Sequence, residues 1–157
     1  METVSLSDVV ADAIQVHSQA LARHDIEIVR EIEALPPSSV DRHRVLQILL
    51  NLLTNAKHAM ATNRGPKRLR VAVERPLPER ARVLVADDGV GIDPDNLARI
   101  FAAGFSTRPD GHGFGLHTSA LAAQEMGGRL TCHSDGPGKG ACFTLELPFR
   151  TAVEECT

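Results

Sequence analysis

Two asparagines one helical turn apart, Asn51 and Asn55, are the residues whose type and spacing first suggest chemistry. They lie in residues 47–60, QILLNLLTNAKHAM, on a polar stripe that also carries Gln47 and His58. Asparagine lowers helix propensity, and its amide oxygen is a neutral ligand for a hard cation such as Mg²⁺. The stripe therefore indicates either a ligand site or polar groups that satisfy buried neighbours, and the helix alone leaves both open.

A second group is the segment 85–92, VADDGVGI, where an acidic pair leaves an apolar strand and enters a glycine turn. A carboxylate at the end of the strand could accept a hydrogen bond from an exocyclic amine. Gly89 and Gly91 could let the backbone approach a flat ligand closely. An Asp-Gly pair is also a common turn, and taken alone this segment favours that simpler interpretation.

Two further groups adjoin each other, FAAGFSTR at 101–108 and GHGFGL at 111–116, directly before a predicted helix. Glycines that open a helix present unpaired N–H groups and the positive end of the helix dipole, which together favour an anion. Thr107 and Arg108 could reach a terminal phosphate, since a guanidinium matches phosphate geometry. The segment lacks the Lys-Ser/Thr of a P-loop, so a flexible loop with polar side chains is the alternative.

The elements that must position these groups follow from hydrophobic periodicity and turn residues. Helices are predicted at residues 7–23, 41–63, 94–100 and 115–126, and the first should bury Val9, Ala13, Val16 and Ala20. Strands are predicted at 3–6, 25–33, 68–74, 81–86, 129–133 and 141–147, with a turn at 35–39, a mobile loop at 102–113 and a frayed tail at 150–157. Helices that interrupt antiparallel strands favour an α+β two-layer sandwich.

Composition narrows the function classes. The 157 residues suffice for one domain, and the low aromatic content of 3%, with no Trp or Tyr, argues against a surface for stacking bases or sugars. A net charge of −3 provides no basic footprint for nucleic acid or for an acidic membrane.

We find no transmembrane run and no signal peptide. Cys132, Cys142 and Cys156 lack metal-type spacing, so we interpret Cys132 and Cys142 as small apolar strand residues in a reducing, cytoplasmic compartment.

The order of these groups resembles the ATP-binding catalytic domain of sensor histidine kinases, within the gyrase/Hsp-chaperone/histidine-kinase/mismatch-repair ATPase superfamily. The motif NLLTNAKHA matches the N box, DDGVGI the first glycine box, IFAAGFSTR the phenylalanine box and GHGFGLH the second glycine box. The resemblance covers about residues 4–149. It implies a catalytic domain at 1–149 with a tail at 150–157, built as a mostly antiparallel mixed sheet with helices on one face.

The resemblance also implies a role for each matching residue. Asn55 would coordinate Mg²⁺ bridging the ATP phosphates, Asn51 would share that catalytic site, and Asp87 would accept the adenine amine. Residues 101–113 would form a lid over ATP. The other implied ATP-binding residues are His58, Gly89, Gly91, Ile92, Thr107, Arg108, Gly111, His112, Gly113, Phe114, Gly115 and Leu116.

Two positions sharpen this expectation. Hydrolytic members of the superfamily carry an acidic base where this chain has Asn51, and an amide cannot accept a proton. Many members also have a Lys and then an aromatic residue where this chain has His58 and Ala59. Arg108 is a candidate to replace that Lys, because Lys57 should face solvent.

Seven histidines are present, and only His24 precedes an acidic residue, in the wrong context for a phosphoacceptor. We therefore expect the partners to be a separate histidine-bearing dimerisation domain of the same kinase and a downstream response regulator. The sequence is then an excised or stand-alone catalytic domain, with any membrane attachment supplied by other regions. Two alternatives remain: a degenerate nucleotide-binding docking module without phosphotransfer, and a hydrolytic ATPase of the same superfamily.

Overall fold

The computed structural model describes residues 2–62, 65–102 and 115–150. The elements in chain order are β1 (Glu2–Val4), α1 (Leu6–Arg23), β2 (Ile26–Ile32), β3 (Ser38–Val40), α2 (Arg42–Ala59), β4 (Lys67–Leu77), β5 (Arg80–Asp87), α3 (Pro94–Leu97), α4 (Gly115–Glu125), β6 (Arg129–His133) and β7 (Ala141–Pro148). Helices pack on one five-stranded mixed sheet, which confirms the predicted α+β sandwich.

The five strands run in the spatial order β2-β4-β5-β7-β6. The β2–β4 pair is parallel and the other three pairs are antiparallel. In β5, Ala81, Val83 and Val85 are buried and alternate with more exposed residues, as expected when one face of a sheet meets the core. β1 and β3 form a separate two-stranded antiparallel sheet.

Helix α2 begins at a cap that the sequence predicts. The Asp41 carboxylate accepts a hydrogen bond of 3.2 Å from the Arg44 backbone N–H, which satisfies one free donor of the first turn. The helix packs against α1, α4 and β5, and it buries Val45, Ile48, Leu49, Leu52, Leu53 and Ala56. One polar stripe is left, which contains the two asparagines.

The predicted buried face of α1 is wrong in part. The helix begins at Leu6 after the cap residue Ser5, one residue before the predicted start. Val16 is 63% exposed, whereas Val10 and Ile14 are almost fully buried. At about 100° per residue, Val16 lies roughly a quarter-turn or more away from the centre of the buried face, so the choice among apolar residues depended on where α2 packs.

The predicted turn at 35–39 is also wrong in its second half, because Ser38–Val40 pairs with β1. The two prolines indicate a turn locally, but strand pairing across more than thirty residues leaves no local signal. Strand β4 continues through Pro76 to Leu77 with an irregularity in register after Glu74, and α3 ends earlier than predicted. The predicted loop and tail fall largely on 103–114 and 151–157, outside the described residues.

Cys132 and Cys142 are free thiols, as their interpretation as apolar strand residues requires. In the register of β6 and β7, Cys132 lies opposite Phe143 while Cys142 lies opposite His133, so the two thiols point to opposite faces of the sheet. Burial raises the pKa of Cys132 to about 12. Over the described ranges, every helix falls short of the length or hydropathy that a bilayer span requires.

Candidate functional site

A cavity of about 380 Å³ lies where α2, the turn after β5, α3 and the start of α4 meet. Its wall is partly apolar and partly polar, as is typical of small-molecule sites. The lining residues are Asn51, Thr54, Asn55, His58, Ala59, Thr62, Asp87, Val90, Gly91, Ile92, Asp93, Asn96, Ile100, Gly115, Leu116, Ala141 and Phe143.

The C-terminal half of the α2 stripe faces this cavity. Asn51, Asn55 and His58 all line it, as the four-residue and three-residue spacings predict. Lys57 lies on another side of the helix, near His17 of α1. Burial first and the Lys57 charge second lower the pKa of His17. The helix therefore presents amides and an imidazole to the cavity rather than an ammonium group.

The two asparagines differ in their partners. The Nδ2 atom of Asn51 donates a hydrogen bond of 3.0 Å to Oγ of Ser119 and a longer one of 3.5 Å to the carbonyl oxygen of Gly115. Within the described ranges, the side-chain amide of Asn55 has no hydrogen-bond partner. Asn51 therefore satisfies a buried neighbour, which is one of the two roles that the sequence left open for the polar stripe. Asn55 is available to a ligand, which is the other role.

The two aspartates at the end of β5 differ in position, because Asp87 lines the cavity and Asp88 does not. Asp87 lines the cavity, and its Oδ1 accepts a hydrogen bond of 2.9 Å from the Gly89 N–H. Burial raises its pKa to about 6, against the opposing effect of N–H groups from Gly89 and Ala141. Both carboxylate oxygens of exposed Asp88 instead accept the Arg68 backbone N–H at 3.1 Å.

The two glycines of the turn act through close backbone approach. A Cβ at Gly89 would overlap the carbonyl group of Ala59, and the neighbouring Val90 N–H donates to that same oxygen at 2.9 Å. Gly91 has a φ of +73°, and a Cβ there would overlap the carbonyl oxygen of Gly136. Gly91 lines the cavity, whereas Gly89 lets the turn pack against α2.

The first turns of α4 are held at the edge of the cavity from two sides. Asn51 reaches Ser119 from α2. Nδ1 of His117 donates a hydrogen bond of 3.0 Å to the carbonyl oxygen of Phe101, whose ring meets Phe143 edge to face at 6.3 Å. These contacts place the predicted site residues Gly115 and Leu116 in the cavity lining.

Nine residues of the predicted site are described, and the structure places all nine in or directly beside the cavity. Eight line the cavity directly, namely Asn51, Asn55, His58, Asp87, Gly91, Ile92, Gly115 and Leu116, and Gly89 supports it from behind. Thr107, Arg108, Gly111, His112, Gly113 and Phe114 lie outside the described residues.

Nine lining residues were not among the predicted site residues, namely Thr54, Ala59, Thr62, Val90, Asp93, Asn96, Ile100, Ala141 and Phe143. Val90 lies inside a recognised motif and could have been included. Ala141 and Phe143 could not, because they reach the cavity only through the pairing of β7 with β5, where Ala141 lies opposite Asp87.

The fold is that of histidine kinase catalytic domains. The mycobacterial sensor histidine kinase MprB superposes with a TM-score of 0.80 at 24% identity, over 96% of this chain and 98% of that one. Full-length ShkA in complex with AMPPNP gives a TM-score of 0.85 at 32% identity, over 96% of this chain and 31% of that one.

The family is defined by sequence as well. Residues 40–151 match the family described as histidine kinase-, DNA gyrase B- and HSP90-like ATPase, and this chain belongs to that family. Sensor histidine kinase ZraS of Klebsiella oxytoca is 36% identical over 148 residues, which is 94% of this chain and 31% of ZraS. Sensor protein TorS of Escherichia coli K12 is 41% identical over 72% of this chain and 12% of its own length.

The resemblance drawn from the four sequence motifs is therefore confirmed. The chain spans about a third or less of the curated relatives it matches.

Proposed function

We propose that this chain is the catalytic module of a two-component sensor histidine kinase, with the domain at 1–149 and a tail at 150–157. It binds ATP with Mg²⁺ and transfers the γ-phosphoryl group to a histidine on a separate dimerisation domain. That domain then passes the phosphoryl group to a response regulator. The carrying observation is that one cavity joins the Asp87 carboxylate to the side-chain amide of Asn55, which has no hydrogen-bond partner among the described residues. A cytoplasmic location follows from the need for ATP.

One end of the cavity binds the adenine base and the other end binds the metal and phosphates. The carboxylate of Asp87 accepts a hydrogen bond from the exocyclic amine of adenine, while Ile92, Leu116 and Phe143 supply apolar surface for the base. The amide oxygen of Asn55 fits a hard cation, because it is neutral and its group has no partner in the described part of the chain. Asn55 would hold Mg²⁺ there, and the bound ion would supply positive charge to offset that of the phosphates during transfer.

Asn51 accounts for transfer to a protein rather than to water. An amide oxygen cannot take a proton from an attacking water molecule, and the amide nitrogen is already committed to Ser119. The site therefore holds ATP with little hydrolysis until an acceptor imidazole, itself a nucleophile, reaches the γ-phosphate. This observation disfavours the hydrolytic alternative.

The first experiment is a calorimetric titration of the chain with a non-hydrolysable ATP analogue, with Mg²⁺ and with EDTA. We expect binding that magnesium strengthens. Absence of binding by protein shown to be folded by circular dichroism would contradict the proposal and favour the docking module instead.

The second experiment tests transfer. The chain, γ-labelled ATP and Mg²⁺ are mixed with a histidine-bearing dimerisation domain of a sensor histidine kinase or with its His→Ala variant. We expect label on the wild-type acceptor alone, stable to alkali and labile to acid as a phosphoramidate is. Release of label only as inorganic phosphate, at the same rate without acceptor, would assign hydrolysis instead.

A further inference from the structure

The contact between Asn51 and Ser119 links the phosphate side of the cavity to a residue that does not line it. Ser119 lies in the second turn of α4 and is 2% exposed. Its Oγ accepts the 3.0 Å hydrogen bond from Nδ2 of Asn51, one turn before Asn55 on α2. A buried serine thus contacts the site through another side chain.

The surroundings define which end of the Asn51 amide faces α4. The carbonyl oxygen of Gly115 lies 3.5 Å from the same Nδ2 atom, and a carbonyl oxygen can only accept. A flipped amide would bring two acceptor oxygens together at this point. The oxygen of the amide diverges from the nitrogen at Cγ, so Oδ1 of Asn51 does not share the contact with α4 and remains available to the cavity that Asn51 lines.

We propose that Ser119 is a positioning residue that keeps the oxygen of the Asn51 amide, rather than its NH₂ group, facing the metal-bound phosphates. This inference rests on the proposed function. Without the Ser119 hydroxyl, the longer Gly115 contact is what remains among the described residues to orient the amide. The flipped form would direct the partial positive charge of the NH₂ group toward the metal and phosphate side of the cavity, which would oppose metal binding and leave the adenine end unchanged.

The test separates positioning from simple packing. For Ser119→Ala, the magnesium-dependent gain in affinity for a non-hydrolysable ATP analogue should fall by about two- to tenfold, as expected for one hydrogen bond. Affinity measured in EDTA should stay at the wild-type value. Ser119→Thr, which retains the hydroxyl, should restore the gain. Ser18→Ala, which removes an α1 hydroxyl bonded to the Gln15 carbonyl, is the matched control.

A double variant makes the assignment specific. In an Asn51→Ala background, adding Ser119→Ala should reduce the magnesium gain no further, since the residue that Ser119 orients is gone. An unchanged magnesium gain in Ser119→Ala, beside a normal gain in the wild type, overturns this inference alone. Absence of any magnesium gain in the wild type overturns the proposed function as well.

A measurement on the unaltered chain covers the case in which the serine variants do not fold. In the complex with Mg²⁺ and the analogue, the side-chain NH₂ protons of Asn51 should exchange slowly with solvent, as expected for a donor that stays bonded to Ser119. Rapid exchange in the complex would show that the amide nitrogen has left Ser119, and the proposal would be wrong.

Discussion

The backbone N–H of Val90 donates a 2.9 Å hydrogen bond to the carbonyl oxygen of Ala59, at the last residue of α2. This bond ties the turn that follows β5 to the helix that carries the asparagines. It forms because Gly89 has no side chain to hold the two backbones apart. The relative placement of Asp87 and Asn55 therefore depends on a glycine that does not itself line the cavity.

Gly89→Ala should destabilise the chain by about 1–3 kcal/mol, because the added methyl group overlaps the Ala59 carbonyl and forces the turn away from α2. Urea unfolding measures this loss, and nucleotide affinity should fall with it. Gly65→Ala is the control, since a Cβ there has no atom within 4 Å. Equal stability of the two variants would show that the turn yields without cost.

Asp87→Asn should weaken binding of the ATP analogue by about tenfold or more, because a charged acceptor for the adenine amine is replaced by a neutral amide. Asp88→Asn changes the formal charge equally, but its carboxylate contacts the Arg68 backbone outside the cavity. Calorimetry should therefore give nearly wild-type affinity for Asp88→Asn. The reverse ranking would reassign the adenine contact to Asp88.

Without nucleotide, the free energy of unfolding should depend on pH through the Asp87 carboxyl. Its pKa is raised from 3.8 to about 6 by burial, so the folded protein holds this proton more tightly than the unfolded chain does. The contribution of Asp87 to stability is therefore greatest at low pH and declines as the pH rises from about 4 to about 6. Above pH 6, ligand-free Asp87→Asn should exceed the wild type by about 1–3 kcal/mol.

Urea unfolding from pH 4 to pH 8 measures that difference. A gap between Asp87→Asn and the wild type that does not change with pH would mean that the carboxyl titrates normally. A carboxylate that lowers the stability of the ligand-free protein is consistent with a group whose role is to bind a ligand.

The two asparagines should respond differently to truncation. Asn55→Ala removes a side chain without a hydrogen-bond partner in the described ranges, so stability should change by less than about 0.5 kcal/mol while the magnesium-dependent affinity is lost. Asn51→Ala leaves buried Ser119 without its partner and should cost about 1–2 kcal/mol. Thermal unfolding and analogue titration of both variants test the contrast, which equal stability losses would contradict.

Asn51→Asp should increase hydrolysis of ATP without an acceptor by about tenfold or more, since a carboxylate at this position can accept a proton from water. Asn51→Ala has no base and is the control. Phosphate release at equal, low rates from both variants would show that the cavity excludes water for another reason.

Local patterns in the sequence were enough to predict most elements and most of the cavity-lining motif residues. The spacing of Asn51, Asn55 and His58 places them on one side of any regular helix, and the apolar residues around them determine which side remains open. Motif order then identified the family before any contact was known.

Only the tertiary structure decided the relations that depend on residues distant in the chain. It showed that Val16 is exposed, that Ser38–Val40 is a strand, and that Ala141 and Phe143 complete the cavity through the pairing of β7 with β5. It also distinguished Asn51, which is bonded to Ser119, from Asn55, which has no hydrogen-bond partner in the described part of the chain. Periodicity indicates which side of an element is apolar, but the residues that become buried and the partner of each polar group depend on which other element packs there.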